Sequence, residues 1–200
     1  MPEKPEVITV ASYLKTRLIG RRILSCTVYW DNIIAYPMVK EFQERIINQV
    51  IHEIQTRGKF LVFTLDDYSL LIHLRMEGKF FFRRAGEEKT KHEHVEFILD
   101  DGESFRFHDV RKFGKMYLLP KEEVYLKKPL VDLGFEYNDP ALTGEVLYSK
   151  IHGKGLPIKT LLLDQSILAG IGNIYADEIL YKVKVHPLRS EERRVGKECR

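Results

Sequence analysis

Leu24-Ser25-Cys26-Thr27-Val28-Tyr29-Trp30 alternates with a period of two, placing Leu24, Cys26, Val28 and Trp30 on one face and Ser25, Thr27 and Tyr29 on the other. A strand half-buried against a core has this pattern. Toward the C-terminus six more short runs read as strands, at residues 59–65, 69–74, 79–83, 94–99, 104–108 and 115–119. Asp101-Gly102 marks a tight hairpin between two of them. Toward the N-terminus, Val7, Val10, Leu14 and Leu18 recur at three- and four-residue steps, and Gly20 follows at a C-cap position, which predicts one amphipathic helix over the first 20 residues. So many short strands bounded by turn residues predict an antiparallel sandwich or barrel ending near Pro120. Residues 129–140 are rich in turn formers and read as a linker, after which 146–151, 157–164 and 174–183 read as helices. The expectation is a two-domain α+β protein: an N-terminal helix plus antiparallel β-sandwich over 1–135, a partial helical domain over 136–188, and a tail over 189–200 without amphipathic period.

The 200 residues are 44% hydrophobic, enough for a packed core, which excludes a disordered or collagen-like chain. Lys and Arg number 32 against 29 Asp and Glu, for a net charge of +3. The stretch from Arg189 to Arg200 holds five bases and three acids, so the body before it is almost neutral. An acidic partner would have to meet bases gathered on one face. No apolar run approaches the roughly 18 residues of a membrane helix, and Met1-Pro2-Glu3-Lys4-Pro5-Glu6 is not a signal peptide, so the reading is cytoplasmic with no membrane partner. Cys26 and Cys199 are the two cysteines, too few for a cysteine zinc site and not arranged as a disulfide framework.

The start of the chain carries possible chemistry. Removal of Met1 before the small Pro2 would expose a secondary amine. An α-amino group titrates near 8, below the ~10.4 of lysine, so an appreciable fraction is an unprotonated nucleophile at neutral pH. Such an amine attacks an aldehyde-like carbon and forms an iminium. Glu3 beside it is placed for proton transfer, although an acid at a helix N-terminus is also favourable in its own right.

Met1-Pro2-Glu3-Lys4-Pro5-Glu6-Val7 resembles the start of the formamidopyrimidine-DNA glycosylase family, which usually has Leu at the position of Lys4. Further motifs follow in the family's order: Arg57-Gly58-Lys59-Phe60-Leu61, His73-Leu74-Arg75-Met76-Glu77-Gly78, Lys91-His92-Glu93-His94-Val95 and Asp109-Val110-Arg111-Lys112-Phe113-Gly114. Leu161-Leu162-Leu163-Asp164-Gln165 then leads to Gly170-Ile171-Gly172-Asn173-Ile174-Tyr175-Ala176-Asp177-Glu178, which resembles the family's helix-two-turn-helix element. The resemblance runs from Pro2 to about Pro187.

That resemblance implies a base-excision-repair enzyme acting on damaged double-stranded DNA as a monomer, both glycosylase and abasic-site lyase, for oxidised purines such as 8-oxoguanine and formamidopyrimidines. Pro2 would attack C1′ and form the imine, Glu3 would assist proton transfer, and Lys59 would donate the proton associated with β-elimination. Met76, Arg111 and Phe113 match wedge residues that fill the gap left by the flipped base; a thioether and a phenyl ring suit stacking, and a guanidinium suits the orphaned base. His92, Arg111, Lys154, Lys159 and Asn173 match DNA-binding positions, and Asn173 also lies at a predicted helix start, either as a phosphate site or as an N-cap. Lys112 and Lys115 add to a basic face beside the wedge. His92 and His94 have no third metal ligand in view, so no metal is expected.

Two departures stand out: Lys4 for an apolar residue, and Ile8 where the family often has Glu. The family also continues into a longer helical domain and a four-cysteine finger holding one structural zinc, none of which is legible in this sequence, so no cofactor is expected in this chain. The apolar face with Leu161, Leu162, Ile179 and Leu180 is therefore expected to be partly exposed. Rival readings are an endonuclease VIII-type glycosylase for oxidised pyrimidines, a truncated damaged-DNA-binding fragment without catalysis, and an unrelated N-terminal-proline enzyme such as a tautomerase.

Overall fold

The computed structural model describes residues 2–190; the expected tail lies outside the described residues apart from Arg189 and Ser190. The chain divides into two compact units, one ending at Leu130 and the second beginning at Val131.

In the first unit, α1 (Lys4–Leu18) is followed by β1 (Ile23–Val28), β2 (Ile34–Tyr36), α2 (Val39–Ile46), β3 (Glu53–Arg57), β4 (Phe60–Thr64), β5 (Tyr68–His73), β6 (Lys79–Arg84), β7 (Glu93–Leu99), β8 (Glu103–His108) and β9 (Lys115–Pro120). The strands form two sheets, ordered β1-β7-β8-β6 and β2-β9-β5-β4-β3. All neighbours are antiparallel except β2 with β9. Phe105 stacks on Phe80 with centroids 4.7 Å apart and meets Phe63 of the other sheet at 6.3 Å, so the aromatic core joins the two layers.

Glu3 caps α1, its backbone N–H donating to Glu6 Oε2 at 2.9 Å, and Pro5 lies in the first turn where no N–H is needed. Val7, Ala11, Leu14 and Leu18 form the buried stripe that packs on β3, with Ala11 rather than Val10 completing it. Gly20, at φ +81, turns the chain out of the helix.

The alternation in β1 has the face of Leu24 wrong. The register slips between Ile23 and Ser25, which pair with consecutive residues Leu99 and Ile98. This bulge turns Ile23 and Cys26 into the core and leaves Leu24 46% exposed. The sequence pattern also predicts no element at β2, α2 or β3.

The second unit holds β10 (Phe135–Glu136), α3 (Gly144–Ile151), α4 (Ile158–Leu163), β11 (Leu168–Ala169) and α5 (Asn173–Lys182). Strands β10 and β11 pair in parallel. Gly134 permits this closure, because a Cβ there would lie 2.4 Å from the carbonyl oxygens of Ser166 and Ile167. Leu161, Leu162, Ile167, Leu168, Ala176 and Leu180 make a second core. Leu161, Leu162 and Leu180 are buried, contrary to the partial exposure expected of them, because the short elements close on one another; Ile179 alone of the four is exposed.

Candidate active site

The hairpin from β3 to β4 brings Lys59 to the start of the chain. Arg57 pairs with Phe60, leaving Gly58 and Lys59 as a two-residue loop in which Gly58 adopts φ +54, a conformation open to glycine in the first loop position. Lys59 is 5% exposed and Glu3 3% exposed. Burial pushes the Lys59 ammonium below its ordinary value, and the nearby Glu3 carboxylate opposes that shift. A lowered lysine gives up its proton more readily near neutral pH. Pro2, half-buried, precedes Glu3 directly.

Lys4, the departure from the family start, is itself buried, and its Nζ donates to the Thr56 carbonyl at 3.1 Å. Its aliphatic stem occupies the apolar position while its ammonium ties α1 to the end of β3, two residues before the Lys59 loop. Ile8 lies on the exposed side of α1.

Two loops of the same unit carry the wedge candidates. Met76 is 41% exposed and Phe113 50% exposed, and the Arg111 guanidinium lies 5.3 Å from the Phe113 ring centroid. Met76 and Phe113 line one open groove together, and apolar side chains gathered in a surface patch mark an interaction site. Both loops contain a non-glycine residue in the left-handed region, Arg75 at φ +55 and Lys112 at φ +58. Such conformations cost about 1–3 kcal/mol each and persist where surrounding structure imposes them. Here His73 Nδ1 accepts the Arg75 N–H at 3.0 Å, and the fully buried Asp109 carboxylate accepts from Arg111 N at 3.0 Å and Gly114 N at 2.7 Å. Gly78 and Gly114 let both loops press on one ring, since a Cβ at either would lie within 2.8 Å of Phe107.

His92 joins this group: its carbonyl accepts the Asp109 N–H at 3.0 Å, and its half-buried ring meets His108 edge-on. His94 Nε2 lies 2.8 Å from the Asp109 carbonyl. Among the described residues no cluster of three or more His, Cys, Asp or Glu could hold a metal ion. The family's four-cysteine zinc site does not fit the residues present, since Cys26 is buried in the core, where burial pushes its thiol up, and Cys199 is the one other cysteine. The segment before His92 is fixed by Arg106, a fully buried guanidinium paired with Glu93 and Glu96 at 3.0 and 2.7 Å and donating to the carbonyls of Glu87 and Glu88.

In the second unit, Asn173 is the exposed first residue of α5, and Gly172 rather than Asn173 is the N-cap. The Gln165 amide shapes the preceding loop, donating to the carbonyls of Leu163 and Ile171 and accepting from Gly170 N. Lys154 is exposed. Lys159, expected at a phosphate, is paired with Asp177 at 2.7 Å.

His73, Asp109 and Gln165 stand in the motifs quoted from the sequence with no role assigned, and Arg106 stands in none of them. Each is a polar residue whose meaning lies in its burial. His73 is 8% exposed and packs edge-on against Phe60; burial first, then the charges of Arg75 and Lys59, push its pKa down to about 3. Its neutral ring is what lets Nδ1 accept. In the unfolded chain this histidine takes up a proton near 6.5, whereas the folded state excludes it down to about 3. The expected result is stability lost as pH falls through that window, by up to about 1.4 kcal/mol per pH unit for one proton. Urea denaturation of wild type and His73→Gln between pH 7 and 4 checks it; parallel curves would contradict it.

An N-terminal helix laid on a two-layer sandwich, with a buried acid and lysine at its start, loops of the same unit that expose Met76 and Phe113, and a separate small helical unit, defines the architecture of a DNA glycosylase. The family models for the formamidopyrimidine-DNA glycosylase N-terminal domain and H2TH domain match residues 1–116 and 133–200. The chain belongs to the formamidopyrimidine-DNA glycosylase family. It is 44% identical over 190 residues to the formamidopyrimidine-DNA glycosylase of Oceanobacillus iheyensis and 46% identical over 189 residues to that of Exiguobacterium sibiricum, covering 94% of this chain and 68% of each relative. Among solved structures, Lactococcus lactis Fpg in complex with DNA containing an abasic site aligns with a TM-score of 0.88 at 30% identity, covering 96% of this chain and 71% of that one. The same protein bound to DNA containing an oxidised pyrimidine aligns with a TM-score of 0.88 at 32% identity, covering 94% and 71%. No helix among the described residues is long and apolar enough to cross a membrane.

Proposed function

We propose that this chain binds damaged duplex DNA, removes oxidised purines and cleaves the resulting abasic strand, with Pro2 as nucleophile. The observation that carries the reading is the buried, mutually interacting Glu3 and Lys59 at the foot of the half-buried Pro2. After loss of Met1, the Pro2 nitrogen attacks C1′ and the bond from C1′ to the base breaks, its electron pair leaving with the base, which is then protonated. Glu3 assists proton transfer as the sugar ring opens to the iminium. Water then takes the C2′ proton as the C3′–O bond breaks, its electron pair leaving with the 3′ phosphate, to which Lys59 donates a proton, and a second water hydrolyses the iminium to free Pro2. Met76, Arg111 and Phe113 fill the gap left by the flipped nucleotide, while His92, Lys154 and Asn173 hold phosphates, Asn173 at the start of a helix where anions are favoured. Lys159 serves there only by exchanging its partner Asp177 for a phosphate. In this reading residues 1–135 are the catalytic domain and 136–188 the helix-two-turn-helix domain.

The test offers duplexes containing 8-oxoguanine, a formamidopyrimidine or an oxidised pyrimidine. Fastest release from the oxidised purines, with strand cleavage at the lesion, is expected. Preference for the pyrimidine would replace this substrate assignment by the endonuclease VIII type; binding without cleavage would leave a damage-binding protein.

A further inference from the structure

A groove of about 510 Å³ opens beside the wedge loops, lined by Trp30, Arg75, Met76, Lys112, Phe113 and Lys115, with Asn32 at its edge. Three of these residues are cations and none is an acid; Asp31 and Glu77, their neighbours in the chain, do not line it. Two of the cations are held in place. The Lys112 ammonium sits 3.9 Å from the centroid of the Trp30 ring, and Lys115 Nζ donates to the Asn32 carbonyl. The turn after β1 therefore braces the base of the wedge loop, and Trp30 is anchored by packing on the sandwich core. Fixed cations beside an indole, a thioether and a phenyl ring match the chemistry of a nucleotide: a phosphodiester for the charges and a sugar or base for the apolar wall.

We propose that this groove seats a nucleotide flanking the gap left by the flipped base, its phosphate against Lys112, Lys115 and Arg75 and its sugar or base against Trp30. The inference rests on the glycosylase reading, adds Trp30 and Asn32 to the residues that grip the duplex, and gives the basic face of Lys112 and Lys115 one nucleotide to hold. Either strand supplies this chemistry, and the experiment separates them.

Trp30 is the single tryptophan of the chain, so tryptophan emission reports this groove. The full chain is titrated with a duplex carrying a tetrahydrofuran abasic analogue, binding is followed by anisotropy, and acrylamide quenching of Trp30 is measured free and saturated. Quenching is expected to fall by about half or more, as covering the indole requires. Lys115→Gln is expected to weaken binding by about 3- to 10-fold near 0.1 M salt and to lower the salt slope by about one. Neutral methylphosphonates beside the gap, placed on one strand and then the other, should abolish the Lys115 dependence on the strand that occupies the groove. Binding with Trp30 still fully open to acrylamide, or with Lys115→Gln silent, overturns the groove alone. No binding to the duplex overturns the glycosylase reading and the groove with it.

Discussion

Extending the chain by a few residues ahead of Pro2 is expected to abolish the covalent adduct that borohydride traps between this protein and an abasic-site duplex. The extension converts the Pro2 nitrogen from a secondary amine into a tertiary amide, whose lone pair is delocalised into the carbonyl and does not attack C1′. The effect should be essentially complete, at least about a thousandfold, because removing the group that forms the covalent intermediate leaves only binding and electrostatics. Fold is not at stake: α1 begins at Lys4, and its cap is made by Glu3 and Glu6. An unchanged thermal transition beside a missing adduct separates loss of the nucleophile from loss of structure. Survival of the adduct would move the nucleophile elsewhere, with Lys59 the first candidate because burial already lowers its pKa.

Replacing Phe113 with Ala is expected to slow excision of 8-oxoguanine from intact duplex by about 5- to 150-fold, the range set by loss of about 1–3 kcal/mol of base–aromatic stacking. Cleavage at a preformed abasic site should change much less, since no stacked base has to be displaced. The side chain is half-exposed and stands over the Arg111 guanidinium, so truncating it opens no core cavity and should leave the denaturation midpoint unmoved. Equal loss on both substrates, or a large drop in stability, would assign Phe113 to packing. Asp109 provides the contrast: its buried carboxylate receives two N–H groups of this loop, so Asp109→Ala should cost stability as well as excision, about 1–3 kcal/mol for each donor left unsatisfied.

The sandwich was legible because each strand from β4 to β9 carries a run of apolar residues ended by turn formers. What escaped has identifiable physical causes. Helix α2 has eight residues, of which only Phe42 and Ile46 are buried, two marks where a periodicity needs more. Strand β3 is Glu-Ile-Gln-Thr-Arg with only Ile54 fully in the core, so its polar composition hides it. β2 pairs in parallel with β9, some eighty residues on, and no local pattern announces such a partner. In β1 the period was right and the face of Leu24 wrong, because a bulge is a property of two strands together.

The site divides in the same way. Pro2, Glu3, Lys59, Met76, Arg111 and Phe113 were readable as candidates because they stand in specific motifs of the family. His73, Asp109, Arg106 and Gln165 act by being buried and by receiving or donating particular bonds, information carried by the fold. Lys4 is the reverse case. It departs from the family's apolar residue, yet the structure buries its stem and satisfies its ammonium on the Thr56 carbonyl.

The central claim is that the amine of Pro2 performs the chemistry at the foot of a Glu3–Lys59 pair. It is tested most directly by trapping the protein on an abasic duplex with borohydride, digesting the adduct with protease and nuclease, and locating the sugar remnant by mass spectrometry. The remnant is expected on the nitrogen of Pro2, in a peptide that has lost Met1. A remnant on the ε-amine of Lys59 or Lys4, or a trapped protein that still carries Met1, would contradict it.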